Sequence, residues 1–159
     1  KFRLGEDDPN PQVPRNPIRF PPALYLDSES RVLVVEHNRH AVLRRENGNV
    51  LPRLIAGGRG PSSESDGLRY PMAVWADSLG RIYVADTYNH RVIRAFQQSS
   101  SSPPYRRNMD PSSRTQIVVG ESPGDLYFPY GIAVDKYGVL YVSSSHEHVV
   151  VSWNLGYQR

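Results

Sequence analysis

The 159 residues amount to about one domain, and the absence of cysteine excludes disulfides, thiolate metal sites and cysteine nucleophiles. Fourteen prolines and twelve glycines argue against long helices, and no apolar run approaches the roughly 20 residues that span a bilayer. The net charge of +3 comes from 19 basic and 16 acidic side chains spread evenly along the chain, unlike a nucleic-acid-binding arm. All basic residues but Lys1 and Lys136 are arginine, whose planar fork suits carboxylates, phosphates and aromatic faces.

In chain order, Phe2–Gly5 reads as a short strand ahead of the first of three repeats. The chain opens on Lys1 with no signal-peptide pattern, so a leader or upstream sequence is expected to have been removed or left out. Phe20–Arg45, Tyr70–Ala95 and Phe128–Trp153 then align with one another without a gap. An aromatic–proline pair opens each: Phe20-Pro21, Tyr70-Pro71 and Phe128-Pro129. An aspartate follows at the same distance (Asp27, Asp77, Asp135), and further on a histidine (His40, His90, His148). Each repeat reads as three strands. In the second these are Met72–Ala76, Arg81–Ala85 and Arg91–Phe96, with turns at Asp77–Gly80 and Asp86–His90. Runs such as Val32-Leu33-Val34-Val35, Leu140-Tyr141-Val142 and Val149-Val150-Val151 are apolar on both faces, so the sheets are expected to be covered on both sides.

A fourth strand precedes each repeat: Leu54–Gly57 before the second, Ile117–Gly120 before the third, and Phe2–Gly5 in the same place before the first. The repeats therefore run over about 2–45, 54–96 and 115–155 within a single segment, 1–159. A Ser/Pro-rich insertion over 97–113 reads as a solvated loop. Four-stranded units at this period predict an all-β chain of β-propeller architecture with three four-stranded blades. Closed propellers have at least about four blades, so three leave two open apolar sheet faces. The expectation is a partial ring: a piece of a longer propeller, or half of a six-bladed one paired with a second copy.

The second repeat carries the detail. Tyr70-Pro-Met-Ala-Val, Asp77, Gly80-Arg-Ile-Tyr-Val-Ala-Asp86 and Thr87-Tyr-Asn-His-Arg-Val92 resemble the NHL repeat, as does the linker with Ala56-Gly57-Gly58 and Asp66-Gly67. The first repeat has Arg39-His40-Ala41 in place of Asn89-His90-Arg91. The third has Glu147-His148-Val149, with Ser144 in place of Asp86. The resemblance implies the propeller fold and says little of function.

Asp86, Asn89 and Arg91 read first as turn-fixing groups. The three equivalent histidines are expected to line one rim, and three are enough for a zinc with an open fourth position. Propeller lyases similar to this repeat hold metal by histidines in their channel, which gives a metal-dependent lyase or hydrolase as an alternative. Some NHL propellers bind single-stranded RNA on a basic face. That gives a second alternative, with Arg39, Arg59, Arg69 and Arg91 as candidates. His37 and His146 read as exposed turn residues. No nucleophile elbow is present, and Gly57-Gly58-Arg59-Gly60 lacks the lysine and helix of a phosphate loop. No catalytic residue, resident metal or cofactor is therefore assigned.

The favoured expectation is a non-enzymatic interaction, scaffold or assembly module, with a protein partner or another propeller half. Its binding rim comprises Arg39, His40, Arg59, Arg69, Tyr88, Asn89, His90, Arg91, Glu147 and His148. The Ser/Pro insertion and the missing initiator Met favour an extracellular or cell-surface setting, against which stands the lack of cysteine.

Overall fold

In a computed structural model the chain is described over residues 20–45, 52–95, 115–120 and 122–156. Eleven strands there form three antiparallel sheets. The first sheet holds β1 (Leu24–Leu26), β2 (Val32–Glu36), β3 (Ala41–Arg45) and β4 (Arg53–Gly57), in that order. The second holds β5 (Ala73–Ala76), β6 (Ile82–Asp86), β7 (Arg91–Ala95) and β8 (Thr115–Val119). The third holds β9 (Pro129–Val134), β10 (Val139–Ser144) and β11 (Val149–Asn154). Among the described residues no helix is long and apolar enough to cross a membrane.

Each sheet is an up-and-down meander, and its hairpins follow from local chemistry. Asp77 Oδ1 accepts the N–H groups of Leu79 (3.0 Å) and Arg81 (2.9 Å). Asp27 does the same for Glu29 and Arg31, and Asp135 for Tyr137 and Val139. A carboxylate that satisfies two turn amides sets the β1–β2 type of hairpin in all three repeats. The last residue of the turn takes a positive φ: Gly80 at 74°, Gly138 at 83° and, against the usual preference, Ser30 at 58°. Between the second and third strands runs a short 3-10 turn, His37–Arg39 and Thr87–Asn89, closed by His40 and His90 in left-handed conformation.

The fourth strand shows how sequence order and sheet membership part. Arg53–Gly57 precedes the second repeat in the chain but hydrogen-bonds to Ala41–Arg45 of the first. Thr115–Val119 likewise pairs with Arg91–Ala95. Strands consecutive in the chain commonly pair with each other, and the first two sheets take their outer strands from the stretch after their repeats. The blades therefore span Leu24–Gly57 and Ala73–Val119 rather than 2–45 and 54–96. The third sheet has three strands among the described residues, and the strand expected at Phe2–Gly5 lies outside them. So do the insertion at 97–113 and its expected loop character.

Apolar cores lie between sheets. Leu33, Val35 and Val42 of the first meet Val74, Ala76, Ile82 and Val84 of the second. Tyr83 and Val92 on the second sheet's other face join Val134, Leu140 and Val142 of the third. All five residues of β6 are buried, as a strand sandwiched between two neighbours requires. Each wholly buried Val, Leu or Ile stabilises by about 1.5–3 kcal/mol, so the stacking of blades contributes much of the cohesion. Tyr25 of β1 and Trp75 of β5 touch across the first joint, ring centroids 4.5 Å apart.

Candidate functional site

The residues singled out by the repeat gather at one end of the blades, at the turn between the second and third strands. There the recurring histidine is a joint. Tyr70 N–H donates to His40 Nδ1 at 3.0 Å, and Phe128 N–H donates to His90 Nδ1 at 3.2 Å. Each histidine ring also stands edge-on to the aromatic ring it serves, with centroids 4.4 Å apart in both cases. A second bond lies beside the first. His37 Nδ1–H donates to the Pro71 carbonyl (3.2 Å), and Thr87 Oγ1 donates to that of Pro129 (2.7 Å). The turn of one blade thus grips the aromatic–proline entry of the next at an N–H and a C=O. Both gripped aromatics are left-handed, Tyr70 at φ 47° and Phe128 at φ 41°.

His40 is buried, and its Nδ1 must be unprotonated to accept an amide. Burial, with His37 and Arg69 nearby, pulls its pKa below the ordinary histidine value. The neutral ring is therefore the working form.

Asp86 centres a second, buried network. Its Oδ1 accepts Arg69 N–H, and its Oδ2 accepts Asn89 Nδ2 and Arg91 Nε, the latter two at 2.8 Å. Burial pushes the Asp86 carboxyl up, while those three donors hold its charged form. Arg91 spends its remaining donors on the carbonyls of Ser63, Glu64 and Gly67, and Asn89 reaches that of Ser62. Together they fasten the linker that leads into the second blade.

One feature of these turns escaped the sequence reading. The residues three apart across each turn are paired in every repeat, with different chemistry. Arg39 Nη1 donates to Glu36 (3.4 Å), Asn89 to Asp86 (2.8 Å), and Ser144 Oγ to Glu147 (3.0 Å). The signal was present as a coupled change: where Asp86 becomes Ser144, Asn89 becomes Glu147.

The ten rim residues separate accordingly. His40 and Arg91 are buried and committed to architecture. His90 and Asn89 are partly exposed and bonded inward. Arg59, beside Asp66 at 3.6 Å, and Arg69 are exposed. Tyr88, Glu147 and His148 also face solvent, and Arg39 is partly exposed beside Glu36. The four arginines thus form no common cationic surface, since Arg91 is buried and Arg39 and Arg59 lie beside carboxylates. Among the described residues no three His, Cys, Asp or Glu converge as metal ligands.

What the rim does present is a strip of rings. Phe20, His37, Tyr70, Tyr88, Phe128 and His146 follow one another with centroid separations of 5.0–5.9 Å. The strip crosses all three blades. Beside it a hollow of about 310 Å³ opens between Asn89, His90 and Gly120 on one side and Leu126 and Tyr127 on the other.

Comparison with known proteins agrees with this architecture. The NHL repeat family matches residues 68–94, the stretch holding Tyr70, Asp77, Asp86 and His90. No curated protein matches the sequence. A structural genomics protein of unknown function from Bacteroides thetaiotaomicron matches with a TM-score of 0.59 at 13% identity. That match covers 81% of this chain and 34% of the other. Virginiamycin B lyase from Staphylococcus aureus gives 0.52 at 10% identity, over 85% of this chain and 41% of the lyase. A streptogramin B lyase gives 0.51 at 11%, over 87% and 41%. The chain thus spans well under half the length of these neighbours, and at such identities the likeness is one of fold. Repeat signature, meander order and stacked sheets converge: the chain carries an NHL repeat over residues 68–94 and has a β-propeller fold, with three blades among its described residues.

Proposed function

We propose that this chain is a non-enzymatic NHL-propeller module that binds protein through the rim bearing the ring strip. The observation that carries the reading is the strip itself. Phe20, Tyr88 and Tyr127 are exposed, and they stand among a continuous row of aromatic and histidine rings. Aromatic side chains offer large contact area at low entropic cost, and a contiguous exposed patch of them marks a recognition surface. Single exposed apolar residues such as Leu79, on a turn at the blades' other end, carry no such meaning. The polar groups of these turns support a binding rather than a catalytic role, since His40, His90, Asp86 and Arg91 hold backbone and linker in place.

The test is site-specific photo-crosslinking, with benzoylphenylalanine at position 88 or 79 of the 159-residue protein, in extract from its source. Adducts at 88 that unlabelled protein competes away and Tyr70→Ala competitor does not, with none at 79, are the expected result. Equal labelling at both positions would overturn the reading.

A further inference from the structure

The two blade joints hold their aromatics alike but differ in what lies beside them. Pro71 follows Gly57 by 14 residues, whereas Pro129 follows Gly120 by only nine. The longer linker doubles back: Ser62 N–H donates to the Leu68 carbonyl at 3.1 Å, and Gly57 N–H to that of Asp66 at 3.3 Å. Leu68 is wholly buried, its Cδ1 3.0 Å from where a Cβ on Gly57 would stand. The shorter linker closes on itself instead. Ser122 N–H donates to the Asp125 carboxylate (3.1 Å), and Asp125 N–H to the Ser122 carbonyl (3.2 Å). Here the equivalent pair, Gly120 and Leu126, flanks the hollow of about 310 Å³. The histidine of the first joint is buried, and that of the second is partly exposed and lines the hollow.

Two neighbouring side chains on this hollow carry unpaired polar atoms. His90 Nδ1 accepts the Phe128 N–H, so the neutral ring bears its proton on Nε2. Asn89 Nδ2 donates to both the Ser62 carbonyl and Asp86, which fixes the amide's orientation and leaves Oδ1 as an acceptor. Neither His90 Nε2 nor Asn89 Oδ1 has a hydrogen-bond partner among the described residues. No charged side chain lines the hollow. One donor and one acceptor without charge suit a neutral hydroxyl, which accepts from the first and donates to the second. The remaining walls include Pro123, the buried Leu126 and the Tyr127 ring, whose centroid is 5.8 Å from that of His90. Such walls suit a flat apolar ring behind the hydroxyl. Ring and hydroxyl together make a phenol.

We infer that the hollow takes a tyrosine side chain of a protein partner, its phenol oxygen accepting from His90 Nε2 and its O–H donating to Asn89 Oδ1. A protein is the source because the hollow is continuous with the ring strip: Tyr127 also touches His146, centroids 6.2 Å apart. Aromatic anchors seated in pockets carry much of the binding energy of protein interfaces. This assignment rests on the reading of the rim as a protein-binding surface and names the side chain that the rim selects.

The probe is N-acetyltyrosinamide, titrated into the isotope-labelled 159-residue protein and followed by amide chemical shifts. Saturable shifts gathered at Asn89, His90, Gly120 and Gly124 are the expected result. N-acetylphenylalaninamide, which lacks only the hydroxyl, should bind at least about fivefold more weakly. Ser122 is exposed and lines the hollow, so Ser122→Trp should fill it and abolish the shifts with the β-sheet circular dichroism retained. Absence of shifts at those residues, equal binding of the two amides, or shifts that persist in Ser122→Trp would each overturn the inference. Specific crosslinking at position 88 together with no tyrosine-dependent shift overturns the pocket and leaves the rim reading standing. Tyrosine-dependent shifts with no crosslinking at 88 overturn that reading and, with it, the protein as the source.

Discussion

His40 shows how one side chain ties pH to cohesion. Its Nδ1 accepts the Tyr70 amide only while the ring is neutral, and burial lowers its pKa below the unfolded value near 6.5. The folded state then binds fewer protons than the unfolded one. Its contribution is whole above about pH 6.5 and is lost as the pH falls below that, through the lowered folded value. Urea midpoints should drop between pH 7.5 and 5.5. His40→Ala should cost about 1–3 kcal/mol at pH 7.5 and flatten that slope. An unchanged slope in the variant would remove the assignment. Ser30 is the converse case, a residue less suited to its place than the glycines at equivalent positions. Ser30→Gly should relieve the left-handed penalty and raise stability by about 0.5–1 kcal/mol, read as a higher thermal midpoint.

At the scale of elements, outer strands are seated by glycines that follow the histidine turns. A Cβ on Gly57 would lie 2.0 Å from the His40 carbonyl oxygen, and one on Gly120 2.3 Å from that of His90. Both also have positive φ. Gly124 shares the positive φ but would meet nothing within 4 Å. Gly120→Ala should therefore cost about 3 kcal/mol and loosen β8, while Gly124→Ala pays only the backbone strain of about 1 kcal/mol. Denaturant unfolding of the two variants, with hydrogen exchange across Thr115–Val119, separates the clash from the strain.

The same scale shows what could be read from sequence. Hairpins were legible because Asp77 and Gly80 act on atoms two to four residues away. The sheet that receives Arg53–Gly57 was not read, because the repeat alignment groups that strand with the repeat it precedes, while the short connection after Arg45 seats it on the strand it leaves. Nor was the bulge that shifts register between Val42 and Leu43, repeated between Val92 and Ile93. The histidines were found by spacing, but their task was hidden: the groups they hold are main-chain amides and leave no mark on residue identity. The Glu36–Arg39 and Ser144–Glu147 pairs were legible in principle, as compensated changes between repeats.

For the whole molecule, cohesion lies between blades as much as within them. Tyr83 is wholly enclosed between two sheets, and its equivalent Tyr141 is not.

The joint between blades has one more consequence. What His40 and His37 hold are the Tyr70 amide and the Pro71 carbonyl, atoms that nearly every amino-acid pair of that shape would supply. The joint works as a standard coupling that recognises a bend in the backbone and one aromatic ring, and asks little else of the letters that build it. A duplicated repeat could be inserted into such an array already fitted at both ends. Its outer loops would then be free to diverge without the joint having to be reinvented.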